Sequence, residues 1–284
     1  MILITGSSGF IGSNFIEYFL KKNIKFFGVD KNKNPYFKFK SFKKINLNNK
    51  NSVLKLFKKI RPKIIIHLAA DSGLNYCHLN KESSFKNNVI STFNLLEACR
   101  KFNCKNFLFA SSMAVENYEL FPSFYGLTKK TGENLMKTYR SNYKIKTSVL
   151  RFSNIYGPYS LHKKSAIHKM ISSKIKSSFF KIHGTGKQER DFLYVKDLVI
   201  EVLKIYKRKN FNKLYKLRSN QRYDINSIFK FINKLPGKKI KSKNIKPPQG
   251  YDVSYKIKKS SKLTNKICLS LHETLNWYKE NLIK

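Results

Sequence analysis

The first thirty residues constrain this chain more than any other stretch. Met1-Ile2-Leu3-Ile4 is a short apolar run with the length of one buried strand. Thr5-Gly6-Ser7-Ser8-Gly9-Phe10-Ile11-Gly12 follows, with glycines at 6, 9 and 12. Residues 13–22 read as a helix with Phe15, Ile16, Phe19 and Leu20 on one face. A second apolar stretch, Phe26-Phe27-Gly28-Val29, ends in Asp30. Strand, glycine turn, helix, strand and acid, in that order, form the pattern of a dinucleotide-binding βαβ unit. Gly6 allows the tight turn off the strand, Gly9 lets backbone N–H groups approach a pyrophosphate, and Gly12 lets the helix pack close to the sheet. The start of the helix offers unpaired N–H groups and a partial positive charge. Asp30 can accept hydrogen bonds from both ribose hydroxyls and would repel a 2′-phosphate, which favours NAD over NADP; Lys31 and Lys33 beside it pull the other way. The whole chain holds only 12 glycines, so three at this spacing are not a by-product of composition.

The pattern set by these residues continues. A third strand is expected near Lys44-Ile45, leading into Asn46-Leu47. A helix over 51–59 stops before Arg61-Pro62. A strongly apolar strand over 63–68 closes into Ala69-Ala70. One long helix is expected over 81–102, carrying Phe85, Val89, Phe93, Leu95 and Leu96 toward the interior. A strand over 107–110 ends in Ser111-Ser112, a helix covers 123–143, and a strand covers 147–152. Short apolar strands alternating with amphipathic helices predict an α/β fold, a Rossmann-type doubly wound parallel sheet with helices on both faces. After Gly157-Pro158 the alternation loosens. A helix over 165–176, a short strand over 179–183, a helix over 195–206 and a strand over 213–217 follow. Then come a helix over 224–234, a break at Pro236-Gly237, a basic loop through Pro247-Pro248 and a last helix over 271–282. This part reads as a smaller C-terminal α/β substrate lobe. The expected division is 1–157 with 191–219 for the dinucleotide domain, and 158–190 with 220–284 for the substrate lobe.

Charge and cysteine usage exclude several function classes. The net charge of +42 comes from 58 Lys and Arg against 16 Asp and Glu. The lysines are spread over every segment rather than gathered in a tail or on one helix face, and no RNP, zinc-finger or helix-turn-helix pattern accompanies them. Compositional bias accounts for that distribution better than a specific nucleic-acid partner, although a basic surface still attracts anionic substrates. Cys77, Cys99, Cys104 and Cys268 form no CxxC pair, and His162, His168 and His183 have no ligand partners at metal spacing, so no metal is expected. The apolar run at 64–70 is far too short to span a bilayer, and with the first strand beginning at Met1 no targeting segment is expected. The expectation is a cytoplasmic protein with reduced thiols and no membrane insertion.

Tyr125 and Lys129 lie four apart on an expected helix and so share one side. A tyrosine is a poor base at neutral pH, but a lysine ammonium and an oxidised nicotinamide ring beside it favour the phenolate. Ser112 stands at the end of a parallel strand, where open α/β sheets place ligand contacts. The three together could take a proton from a secondary alcohol while hydride leaves to a nicotinamide.

With these motifs in view, the chain resembles the extended short-chain dehydrogenase/reductase family, in its NAD-dependent epimerase/dehydratase branch. The resemblance rests on the glycine turn, His67-Leu68-Ala69-Ala70, Asn88-Val89, Ser111-Ser112 and Tyr125-Gly126-Leu127-Thr128-Lys129, together with Arg151 through Pro158 and the run GTGKQERDFLYVKD from Gly184 to Asp197. It implies NAD as cofactor, with Gly6, Ser8, Gly9, Phe10, Ile11 and Gly12 around the pyrophosphate and Asp30 at the adenosine ribose. Asn46 and Leu47 fall beside the adenine, Ala69 and Ala70 line the cofactor, and Asn88 orders the active-site loop. Ser112, Tyr125 and Lys129 are the implied catalytic residues, with Tyr125 and Lys129 also touching the cofactor. Asn154 and Arg190 are the implied contacts to a nucleotide sugar's diphosphate; on chemistry alone, Arg190 could instead form an ion pair with Asp191 or Asp197. A homodimer through the helices over 81–102 and 123–143 is implied as well.

Three departures narrow the activity. The family's 4,6-dehydratases place an Asp-Glu pair directly after the strand-end hydroxyl, and here Met113 and Ala114 stand there, with Glu116 nearby but out of register. The stretch from Ser112 to Tyr125 is short. A second phosphate-binding arginine is replaced in YDVSYKI, where Ser254 or Lys256 stands. The expectation is an NAD-dependent nucleotide-sugar epimerase acting at C4 through a transient 4-keto sugar. The alternatives are a nucleotide 4-keto-sugar reductase and a catalytically silent NAD(H)-binding protein on the same fold.

Overall fold

The structure is a computed structural model and describes residues 1–116, 118–246 and 265–282. The chain divides into two compact units, one formed by Met1–Phe152 with Val199–Leu217, the other by Ser153–Leu198 with Arg218–Lys284.

The first unit is built on a seven-stranded sheet. Its strands are β1 (Ile2–Thr5), β2 (Phe26–Asp30), β3 (Phe42–Lys44), β4 (Ile64–His67), β5 (Asn106–Ser112), β6 (Lys146–Phe152) and an edge strand, Leu214–Leu217. The spatial order is edge strand, β6, β5, β4, β1, β2, β3, and every pairing is parallel. The chain runs outward from β1 to β3 and then crosses back to β4, so the direction of winding reverses between β1 and β4. Open parallel sheets bind ligands at that switch, outside the carboxyl ends of the strands. Strands covered on both faces lose the apolar–polar alternation and become continuous apolar runs. Ile2, Leu3 and Ile4 of β1, Ile64, Ile65 and Ile66 of β4, and Phe107, Leu108 and Phe109 of β5 are all buried accordingly.

The helices of this unit are α1 (Phe10–Lys21), α2 (Lys50–Ile60), α3 (Leu74–Leu79), α4 (Lys81–Phe85), α5 (Ser91–Phe102) and α6 (Phe124–Tyr143), with the larger part of the helix Val195–Lys207, found where the sequence places it. Helix α1 starts at Phe10, three residues earlier than the pattern suggests, because the glycine turn itself supplies the N-cap at Gly9. It buries Phe15, Ile16 and Phe19, while Leu20 is 42% exposed, against expectation. The expected single helix over 81–102 is α4 and α5 joined by a π-helical turn, Lys86–Ile90. Such a turn inserts an extra residue into the ladder and offsets the faces before and after it. Val89, Leu95 and Leu96 face inward as expected, but Phe85 and Phe93 are 41% and 38% exposed.

The second unit is made of shorter pieces. Asn154–Tyr156, Glu189–Tyr194 and Arg222–Asp224 form a three-stranded sheet with Glu189–Tyr194 in the middle, parallel to the first and antiparallel to the last. Phe180–His183 pairs in parallel with Ser242–Ile245. Helices Ala166–Lys176, Ile225–Lys234 and Asn265–Leu282 complete it, the last starting six residues before its expected position. Tyr156 shares a 2.5 Å hydrogen bond with Ser270, and Tyr278 Oη donates to Ser160 O (2.9 Å), tying this final helix into the unit. Four of its strands, at 154–156, 189–194, 222–224 and 242–245, carry no period long enough to read in the sequence. Pro247, Pro248, Ser254 and Lys256 lie outside the described residues. Among the described residues no helix is long and apolar enough to cross a membrane.

Candidate active site

The turn between β1 and α1 is closed by backbone against backbone. Gly6 adopts φ +69°, and a Cβ there would sit 2.7 Å from the Ala69 nitrogen; a Cβ on Gly12 would sit 2.0 Å from Gly6 O. No larger residue fits either place without moving main chain. Gly9 caps α1 without any side-chain acceptor, and the first turn of the helix contains no acidic residue. The partial positive end of the helix can therefore attract an external anion. These observations fit the pyrophosphate of a dinucleotide.

Asp30, at the end of β2, is held facing this turn. Its Oδ2 accepts the Ser8 N–H (3.0 Å) and its Oδ1 the Asn32 N–H (3.2 Å), while Ser8 Oγ donates to Asn32 O (2.7 Å). Asn34 adds a strap that the sequence did not reveal. Its Nδ2 donates to Ser7 O (2.8 Å) and Ser13 Oγ (3.1 Å), and its Oδ1 accepts from the Tyr36 and Phe37 N–H groups. Phe10 is buried behind the turn and Ile11 is half-buried. Ile45 donates its N–H to Asp30 O (2.7 Å), which places exposed Asn46 just beyond the acid. The Asn46 Oδ1 accepts the Asn48 N–H, and Leu47 is buried with its carbonyl capped by Asn94 Nδ2.

At the end of β4 a chain of hydrogen bonds fixes a buried imidazole. Ala69 N–H donates to Thr5 Oγ1, and Thr5 Oγ1 lies 2.6 Å from His67 Nδ1. On the other side His67 Nε2 lies 2.9 Å from Thr92 Oγ1, which donates to Asn88 O. Since the Thr92 proton is committed to that carbonyl, the proton of His67 sits on Nε2 and Nδ1 accepts from Thr5. Burial, aided by the charge of Lys129, pushes the imidazole down to about 3, so it stays neutral and serves structure rather than proton transfer. Ala69 and Ala70 follow, both half-buried. Asn88, in the π-helical turn, accepts the Asp71 N–H (2.7 Å) and donates to Asp71 O and to Thr128 Oγ1. It thereby joins the loop after β4 to helix α6.

Ser112 ends β5, and its Oγ accepts the Ala114 N–H (3.2 Å), opening the short turn Met113–Val115. Tyr125 and Lys129 stand one turn apart on α6, which starts at the Ser123 cap. The Lys129 Nζ lies 5.9 Å from the centre of the Tyr125 ring and 5.2 Å from that of Phe109, and it donates to Ala110 O (2.7 Å). The side chain is buried, and burial pulls its ammonium down to about 8 against the opposing pull of Cys77 and Glu133. Met113 is buried and Ala114 half-buried. Glu116 is engaged elsewhere, with Lys216 (2.6 Å) and Arg151 (3.6 Å). Beneath Lys129, Glu133 takes a bidentate pair from Arg151 and the Ser111 hydroxyl. The sequence carries a signal for Glu133, since it continues the Tyr125, Lys129 stripe by one more step of four.

In the second unit Asn154 and Arg190 lie on neighbouring strands. Asn154 Nδ2 donates to Asp191 O (3.2 Å), and Arg190 Nη1 donates to Glu189 O (2.8 Å). The two acids that could compete for Arg190 have other partners: Asp191 accepts the Ser219 N–H (2.8 Å), and Asp197 pairs with Lys266 (2.8 Å). Among the described residues no group of three or more His, Cys, Asp or Glu could hold a metal ion.

Residues 2–217 match the model of the NAD dependent epimerase/dehydratase family. A putative UDP-glucose 4-epimerase of Methanocaldococcus jannaschii is 31% identical, covering 99% of each chain. A UDP-glucuronate 4-epimerase of Thermodesulfobacterium geofontis is 29% identical, covering 99% of this chain and 96% of its own. The fold is similar to that of UDP-glucose 4-epimerase from Thermotoga maritima, solved with UDP-glucose, at a TM-score of 0.83, 23% identity and 99% coverage of both chains. With a family model matched across both the glycine turn and the Tyr125–Lys129 helix, the chain belongs to the NAD-dependent epimerase/dehydratase family.

Proposed function

We propose that the protein is a nucleotide-sugar epimerase that inverts C4 of its substrate and retains NAD through turnover. The observation that carries this reading is a Ser112, Tyr125 and Lys129 set with no proton donor beside it at 113 and 114. Elimination of water requires an acid and a base at those places, and a methionine and an alanine supply neither. Glu116 does not substitute, because its carboxylate is engaged by Lys216 and Arg151. Full-length similarity to two 4-epimerases supports a UDP-sugar as the substrate class.

In this reading the first unit holds the cofactor and the second the nucleotide sugar. The glycine turn receives the pyrophosphate, Asp30 the adenosine ribose, and Asn46 and Leu47 the adenine side. Ala69, Ala70 and Asn88 shape the nicotinamide side. NAD, when bound, supplies a hydride acceptor that returns the hydride within the same turnover. Tyr125 Oη takes the proton of the sugar's 4-hydroxyl and later gives it back. Ser112 Oγ holds the same oxygen, and the Lys129 ammonium favours the Tyr125 phenolate and binds ribose. Arg190 and Asn154 hold the diphosphate, the guanidinium by a planar fork that matches phosphate oxygens. Exposed Phe85, Phe93 and Leu127, on the helices α4, α5 and α6, support a homodimer through that face. Four free cysteines support a cytoplasmic location.

The test is incubation of the purified protein with UDP-glucose and with UDP-glucuronate, without added NAD, followed by proton NMR of the sugar. Inversion at C4 of either one, with NAD released only on denaturation, is the expected result. Consumption of a nicotinamide cofactor in proportion to product would replace the epimerase reading with a one-way reductase.

A further inference from the structure

Tyr125, Lys129 and Glu133 form one stripe of helix α6 at steps of four, and only the first two belong to the proposed chemistry. Glu133 is the hub of a charged ladder laid across the sheet. Ser111 of β5 stands opposite Arg151 of β6, and Arg151 stands opposite Lys216 of the edge strand. Ser111 Oγ donates to Glu133 Oε1 (2.5 Å); Arg151 Nε donates to the same oxygen (2.8 Å) and Nη2 to Oε2 (2.6 Å). Beyond them Glu116, just past the Ser112 turn, takes Lys216 and the far nitrogen of Arg151. The side chains of Glu133 and Arg151 are only 10% and 14% exposed, so solvent screens this pair little.

The ladder adjoins Lys129 directly. Lys129 Nζ donates to Ala110 O, the carbonyl of the peptide that leads into Ser111. The titratable groups facing Lys129 are Tyr125 and Glu133 on its own helix, Cys77 from α3 and His67 from β4, with Arg151 and Glu116 behind Glu133. His67 is neutral, and burial pushes the Cys77 thiol up; Cys77 and Glu133 are the groups that oppose the fall of Lys129. Of the charges in this ladder Glu133 holds the Lys129 midpoint up, and Arg151 and Glu116 stand beyond it.

We propose that Glu133 is a positioning residue, which fastens the helix bearing Tyr125 and Lys129 to the strand end bearing Ser112 and screens the Lys129 ammonium from the Arg151 guanidinium. Its meaning for turnover rests on the epimerase reading; its effect on Lys129 does not. A carboxylate one helical turn below Lys129 offsets the positive charge next to it. Remove that carboxylate's charge alone and the ammonium loses its offset while the guanidinium keeps its charge.

The test is a titration of the NAD-saturated protein with carbon-13 in its lysine side chains, the Lys129 signal being assigned by its loss in Lys129→Arg. In Glu133→Gln, which keeps the volume and a hydrogen-bonding oxygen, the Lys129 midpoint should fall by about one pH unit, a tenfold weaker hold on the proton. In Glu133→Gln/Arg151→Met it should return to within about threefold of the parent, since the guanidinium is gone too. The alkaline limb of kcat should follow the same shift in Glu133→Gln, with KM changed less than about twofold. A folded Glu133→Gln whose Lys129 midpoint does not move overturns the proposal, as does a double variant that falls as far as the single one. If Glu133→Gln does not fold, Arg151→Met takes its place; the midpoint should rise, and a fixed or falling midpoint overturns the proposal. The titration needs no substrate. A moved midpoint without epimerase turnover upholds the role of Glu133 and sinks the assigned reaction, and turnover with an unmoved midpoint does the reverse.

Discussion

The glycine turn at the head of α1 carries no side-chain charge, whereas α6 buries an ammonium. At the turn the specification is steric: positions 6 and 12 have main-chain atoms where a Cβ would be. On α6 it is electrostatic: Lys129 is buried with its ammonium bonded to Ala110 O, one turn above a Glu133–Arg151 pair. The first arrangement costs backbone entropy in the unfolded chain. The second costs desolvation, which weakens the fold while equipping the site. The two regions should therefore fail in different ways when altered.

The largest effect is expected at the phenol. Tyr125→Phe should lower kcat about a thousandfold, roughly 4 kcal/mol of barrier, and leave bound NAD and thermal stability unchanged; steady-state kinetics and cofactor content of the same preparation check it. Gly12→Ala should act the opposite way. The new methyl must displace Gly6 O, so the variant should lose about 3 kcal/mol of stability in urea unfolding and release its NAD on gel filtration. Lys129 separates stability from activity. Its midpoint is about 8 in the folded chain and 10.5 in an ordinary lysine, so between those values only the unfolded chain holds the proton. Stability therefore rises as pH climbs from about 8 toward 10.5, and the full burial cost is present below 8. Lys129→Met should remove that cost and gain about 2 kcal/mol at pH 7 after loss of the bond to Ala110 O, the gain shrinking by pH 10, while turnover disappears. The smallest effect is expected at the strap over the glycine turn. Asn34→Ala should cost about 1 kcal/mol and weaken NAD binding without changing kcat at saturating cofactor, read by urea titration and by NAD titration.

The same contrast explains what could be read from the sequence. Steric constraints leave residue-type signatures, so glycines at three spots after a strand located the turn, and Asp30 followed from the next strand. Tyr125 and Lys129 were legible because a helix turns fixed spacing into a shared face. Asn34 was not, because a loop asparagine looks alike whether its amide straps a turn or meets water. A uniform helical period would align Phe85 with the buried residues of α5, and the π-helical turn at Lys86–Ile90 breaks that period. Glu133 and Arg151 come from different elements, and only the parallel register of β5 and β6 brings Ser111 and Arg151 side by side. The three-residue strands at 154–156 and 222–224 carry too few residues to show a period of two.

The order of the units along the chain has a consequence for synthesis. Strand β6 ends at Phe152, yet its neighbour Leu214–Leu217 is made only after the chain has passed through residues 153–198. At ordinary translation rates of about 5–20 residues per second, that leaves β6 a bare edge for several seconds. During that interval its outer N–H and C=O groups are open to pairing with another nascent chain. A message truncated just past Phe152 would make that exposure permanent, so the aggregation hazard of this protein is greatest in incomplete chains, and the appearance of Leu214–Leu217 is the event that retires it.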